Sequence, residues 1–171
     1  ARVLLAKLKG KCLGVVDGTH EDRIQKFCGL CPGAILAEDL STKEVPSYYS
    51  SDGLYLKIHF GERGNRQNCF FVYATHGWVN ARKMGGVVLS MEELAYAIHA
   101  DVYITSHSHR MEVHKLNYMM PSYKGNTLLP TPKTLISTGA FLSYGKGYAI
   151  KKGYQSPHPG TVKIELKLRE S

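Results

Sequence analysis

Apolar positions along the chain change period several times, and each change marks an element. Leu4, Leu5 and Leu8 fall on one side of Val3 to Lys9, which reads as the tail of an amphipathic helix that Gly10 should end. Cys12–Val16 is a short apolar run of the buried-strand kind. Asp17–Glu21 reads as a tight turn into a helix from about Asp22 to Phe27, and Ala34–Leu40 as a second short helix. From Val45 the pattern turns to strands. Gly53–Phe60 alternates with period two, Glu62–Gln67 carries turn residues, and Asn68–Thr75 is a continuous apolar strand ending at His76-Gly77. Trp78–Val87 reads as a loop, then Ser90–His99 as a helix with Ser90 as N-cap and Glu93 in the capping-box position. Val102–Thr105 is a buried strand running into His107 and His109. Met111–Met120, Thr134–Ser143 and Thr161–Leu168 predict further strands, with Gly145–Gly160 a loop.

These elements predict an α/β protein. Strands 12–16, 68–75 and 102–105 should form the central sheet, the later strands a second packed sheet, and the helices should lie outside. Neither a repeat nor a linker interrupts the pattern, so residues 1–171 are read as a single domain. No apolar run approaches the length of a membrane span. The N-terminal stretch lacks a signal-peptide cleavage pattern, and four cysteines fit a reducing compartment, which points to the cytoplasm.

Charge adds a preference among partners. The net charge is +8 and the isoelectric point about 9.3, which favours phosphate esters, nucleotides or nucleic acid. The cations are read mainly as solvated surface.

Histidine placement carries the candidate chemistry. His20, His76, His107 and His109 all fall where a strand gives way to a loop, which is where open α/β sheets place ligands. His59, His99, His114 and His158 lie within strand, helix or loop patterns and are read as structural. If the chain stays extended through His107 and His109, both imidazoles point the same way, at a spacing suited to one or two metal ions. Imidazoles suit zinc, iron, manganese and nickel, and with carboxylates they build two-metal hydrolytic sites. Cys28 and Cys31 have the C-x-x-C spacing of a zinc or redox motif. Cys12 and Cys69 lie inside apolar strands, so all four are read as ordinary thiols.

Gly18-Thr-His-Glu21, Thr75-His-Gly77 and Ser106-His-Ser-His109 resemble the last three motifs of the calcineurin-like metallophosphoesterases, G-N-H-(D/E), a lone H and G-H-x-H. The resemblance covers nearly the whole chain and is nearest to small bacterial and phage-type members. It implies a layered α-β-β-α sandwich of two mixed sheets and two divalent metal ions (Mn, Fe, Zn or Ni). His76 and His107 would bind one metal, His109 the other, and His20 would act near the leaving group. Arg82 would touch the substrate phosphate.

Three departures qualify that expectation. Thr19 replaces the family's Asn ligand and would hold metal more weakly. Ser106 replaces a Gly. The family's D-x-H and G-D-x-x-D motifs occur nowhere, so the sandwich should be N-terminally incomplete and expose a sheet edge for a protein partner to cover. Two functions follow: metal-dependent hydrolysis of a phosphate mono- or diester, or a catalytically inactive module binding nucleic acid or a protein.

Overall fold

The structure is a computed structural model, and it describes residues 5–60, 68–78, 84–141, 147, 151 and 160–167. It is mixed α/β, with two sheets and three α-helices. The chain divides into two compact units: Ala1–Leu54 with Ala74–His76, and Tyr55–Tyr73 with Gly77–Ser171.

In the first unit, strand β1 (Gly14–Val16) pairs in parallel with β2 (Tyr48–Ser50), Val15 opposite Tyr49. Of the expected N-terminal helix, Val3 and Leu4 lie outside the described residues; Leu5 is helical, a 3-10 turn spans Ala6–Leu8 with Lys9 as its C-cap, and Gly10 follows at φ 70°. Helix α1 (Thr19–Cys28) begins earlier than its sequence pattern suggests. Gly18 is the N-cap and its N–H donates to Glu21 Oε2 at 3.1 Å, with Asp22 also in the first turn. Gly29, at φ 71°, ends the helix by donating to Gln25 O. Helix α2 (Pro32–Leu40) starts on a proline, which suits a first-turn position, and buries Gly33, Ala37 and Leu40.

The second unit is built on a five-stranded sheet of order β3-β4-β5-β7-β6. Its strands are β3 (Gly53–Phe60), β4 (Asn68–Thr75), β5 (Val102–Thr105), β6 (Glu112–Pro121) and β7 (Leu128–Ser137). β5 and β7 run parallel, whereas β6 and β7 form an antiparallel ribbon ten residues deep. Helix α3 (Met84–Ala97) supplies Val87, Met91, Leu94 and Ala95 to a core shared with Tyr103 and Leu135. A second cluster gathers Val72, Val102 and Ile136, against which Val162 and Leu166 pack.

Several expectations are corrected here. β1 pairs only with β2 among the described residues, so strands 12–16 and 68–75 do not share a sheet. The late strands β6 and β7 join β5 in the larger sheet and do not form a second one. Ser90 is inside α3, not at its start, and its hydroxyl donates to Val87 O at 2.8 Å. The Gly85-Gly86 pair looks like a loop by propensity, but the apolar face that follows overrides it. β7 lies six residues earlier than read, and it takes in Pro130 and Pro132, a residue type that sheets confine to edges. Residues 161–167 alternate but join no ladder among the described residues, so the alternation is spent on packing.

Candidate functional site

β5 places the His-Ser-His segment. Val102, Tyr103 and Thr105 are buried, and the strand ends at Thr105. The backbone then does not stay extended. His107 has φ 63° and His109 φ 57°, the only non-glycine residues with positive φ among those described. The same-side extended arrangement is therefore replaced by two left-handed turns, which L-residues adopt at a cost. Ser108 N–H donates back to Ser106 O at 2.6 Å, a γ-turn closed around His107.

Two serines hold this turn. Ser137 is fully buried, and its hydroxyl lies 2.9 Å from that of Ser108 while also donating to Arg110 O at 2.9 Å. Arg110 N–H reaches Ser108 Oγ at 3.4 Å, and Thr138 N–H donates to Thr105 O at 2.8 Å. Gly77, at φ 83°, approaches the same turn: a Cβ there would sit 3.5 Å from Ser106 O and 3.9 Å from His107 Cβ. A shallow pocket opens beside it, lined by Gly77, Trp78, Ser106 and Ser108 together with α3 residues. Neither Ser108 nor Ser137 was singled out in the sequence. Twenty-nine positions separate them, and no local pattern links a mid-motif serine to the end of a strand.

The first unit brings together the other two motifs. His76 lies against the Gly18-Thr19-His20 turn so closely that a Cβ on Gly18 would meet its ring at 2.7 Å (Cε1) and 2.8 Å (Nδ1). Glycine is needed there for room, since φ is −110°. His20 is in the first turn of α1 and not on a loop, as is Thr19. Asp17, 3% exposed, accepts the Tyr49 hydroxyl at 2.6 Å through Oδ2, while Oδ1 has no partner. That bond, with burial adding to it, pushes the Tyr49 phenol up to about 12. Arg82 lies outside the described residues.

A two-metal centre needs clustered carboxylates and imidazoles. Among the described residues, no three His, Cys, Asp or Glu side chains are placed to hold one ion. Asp101 is at the other end of β5 from the histidines, with Oδ2 accepting Phe71 N–H at 2.8 Å. The described residues therefore do not fit the metal pair by themselves. The four cysteines are free, and Cys28 is exposed with its thiol turned to Ile24 O.

No protein-family model matches the chain, and no curated protein matches it. Two solved structures of Vps29 from Entamoeba histolytica are similar in fold. A double mutant aligns with TM-score 0.43 and 17% identity, over 84% of this chain and 66% of that one. Wild-type Vps29 complexed with Zn2+ aligns with TM-score 0.38 and 15% identity, over 93% and 72%. The chain thus spans just under two thirds of the double mutant's length. No helix among the described residues is long and apolar enough to cross a membrane.

Proposed function

We propose that the chain acts on phosphate esters through its His107-Ser108-His109 turn, as a domain of the metal-dependent phosphoesterase kind. One observation carries this reading: both histidines hold left-handed backbone conformations. Strain of that sort persists where function needs a side chain in one place. The motif order assigns the remaining roles within the proposal. His76, His107 and His109 would be metal ligands, Thr19 a weak one, His20 would assist the leaving group, and Arg82 would meet the phosphate. The bridging carboxylate has to come from outside the described residues or from another polypeptide. The net charge of +8 suits a nucleotide or nucleic-acid ester.

A second reading has its own support. Asp17 and Asp101 are both engaged in structural hydrogen bonds, and Thr19 stands where the family has Asn. On this reading the frame is a catalytically inactive binding module. Elemental analysis after manganese loading, with p-nitrophenyl phosphate and its bis ester as substrates, separates the two. Retained metal with turnover that His107→Ala abolishes favours the phosphoesterase. Metal-free protein without turnover sinks it and leaves the binding module.

A further inference from the structure

Strand β3 stands first in the order of the larger sheet, so β4 is its one neighbour among the described residues. Its side chains alternate between two environments. Leu56 and Ile58 turn to the cluster of Val72, Val102 and Ile136, while Tyr55, Lys57 and His59 turn to the opposite face, where all three are exposed. Phe71 and Tyr73 of β4 share that face and pack at the border of the core under α3. Among the described residues the helix leaves the β3 side of this face open, and Tyr55 stays 47% accessible.

Three contacts organise this strip. Tyr55 and Phe71 stack with ring centroids 5.8 Å apart and planes 29° from parallel, and the Tyr73 ring lies 6.5 Å from that of Tyr55. The Lys57 ammonium sits 5.8 Å from the centroid of the Phe71 ring, within reach of a cation–π attraction. The Tyr55 hydroxyl donates to His99 O at 2.8 Å, which holds an exposed ring in one orientation. The strip is thus a row of aromatic faces interleaved with a cation and an imidazole on two adjacent strands.

The residues of the strip select the ligand. β3 and β4 contain neither aspartate nor glutamate. Asp101, which approaches from the start of β5, spends Oδ2 on Phe71 N–H at 2.8 Å. Duplex nucleic acid hides its ring faces in the stack, and an apolar protein surface would leave the Lys57 head group without an anion. A single strand supplies bases to the rings and phosphates to the cation. We infer that Tyr55, Lys57 and His59, with Phe71 and Tyr73, form a binding surface for single-stranded nucleic acid. A base stacks on Tyr55 at the open side of the strip, and the neighbouring phosphates meet Lys57 and His59. None of the four motif histidines takes part, so the surface serves the chain whether it hydrolyses phosphate esters or only binds.

The test uses the full chain in EDTA, so that no metal-dependent hydrolysis intervenes, with fluorescein-labelled oligothymidylate and oligouridylate of about twelve nucleotides. Fluorescence anisotropy should show saturable binding with Kd on the order of micromolar at low salt, weakening as salt rises. Binding of either strand supports the inference, and the tighter of the two names the natural one. Tyr55→Ala and Lys57→Glu should each weaken binding about tenfold or more, whereas Tyr55→Phe, which keeps the ring, should bind within about threefold of the native chain. A photoreactive thiothymidine in the strand should crosslink to β3 or β4, a readout that needs no variant. Absence of saturable binding, equal affinity for a duplex of the same length, or crosslinks confined to the histidine turn overturns the inference. So does unchanged binding by folded Tyr55→Ala. A concentration-dependent dimer that Tyr55→Ala dissolves overturns it as well, by assigning the strip to a second copy.

Discussion

The hydroxyls of Ser108 and Ser137 lie 2.9 Å apart, joining the centre of the histidine turn to the fully buried end of β7. Ser137 also donates to Arg110 O, so one buried side chain fixes both the middle and the exit of the turn. Ser137→Ala leaves Ser108 Oγ and Arg110 O without that partner. The expected cost is about 1–3 kcal/mol by denaturant unfolding. His107 and His109 resonances should broaden in NMR spectra as the turn loosens.

His107→Gly separates backbone strain from side-chain chemistry. Glycine adopts φ 63° freely, so the variant should be more stable, by about 1 kcal/mol. Phosphate-ester turnover or metal retention should disappear together with the imidazole. Unfolding midpoints and metal content measured on one preparation check both halves; a loss of stability would show that the histidine ring itself holds the turn.

Gly18→Ala tests the closeness of His76. The new methyl would meet the ring at 2.7 Å and Glu21 Oε2 at 3.0 Å, so the ring must rotate or the start of α1 must shift. A destabilisation of about 1–3 kcal/mol is expected, as for other overpacked sites. The His76 ring resonances should move while far-UV circular dichroism stays unchanged.

Lys133 is 2% exposed, its amine donating to Ala100 O and lying 3.3 Å from His99 Nδ1. Burial pulls its pKa below the ordinary 10.5, and the nearby Asp101 only partly opposes this. The folded state then binds fewer protons than the unfolded one, so stability should rise with pH through this window and level off above 10.5. Lys133→Met should flatten the rise and leave the protein more stable at neutral pH, as read from urea midpoints.

Tyr49 works in the opposite sense. Its phenol is pushed up to about 12 by Asp17, so the folded state keeps a proton that the unfolded state begins to release near pH 10.0. Its contribution is complete below that pH and is lost as pH rises toward 12. Asp17→Asn should bring the phenolate absorbance titration back toward 10.0, and an unchanged titration would rule out the carboxylate as the cause.

Much of this arrangement was legible in the sequence, and the rest was hidden for identifiable reasons. The apolar runs located β1, β4, β5 and β6 to within a few residues, because burial on a sheet demands them. Pairing was not legible, since nothing local tells β1 to choose β2 or brings β7 beside β5. Thr161–Lys167 has a strand's alternation but joins no ladder among the described residues, because period two records which face is buried and not whether a neighbour exists. The histidine turn was found by residue type and spacing. Its left-handed backbone was not, because histidine in that conformation leaves no compositional mark.

β5 is only four residues long, yet it is paired on both sides, to β4 and to β7, and its residues are almost wholly buried. Its amides should be among the last in the chain to exchange with deuterium, whereas those of the β6–β7 tip should exchange early. The histidine turn thus hangs from a segment expected to open late. Fraying that starts at the Pro121–Leu128 end of the ribbon lies farthest along β7 from Ser137, which holds the turn, so a ligand there should keep its geometry through it.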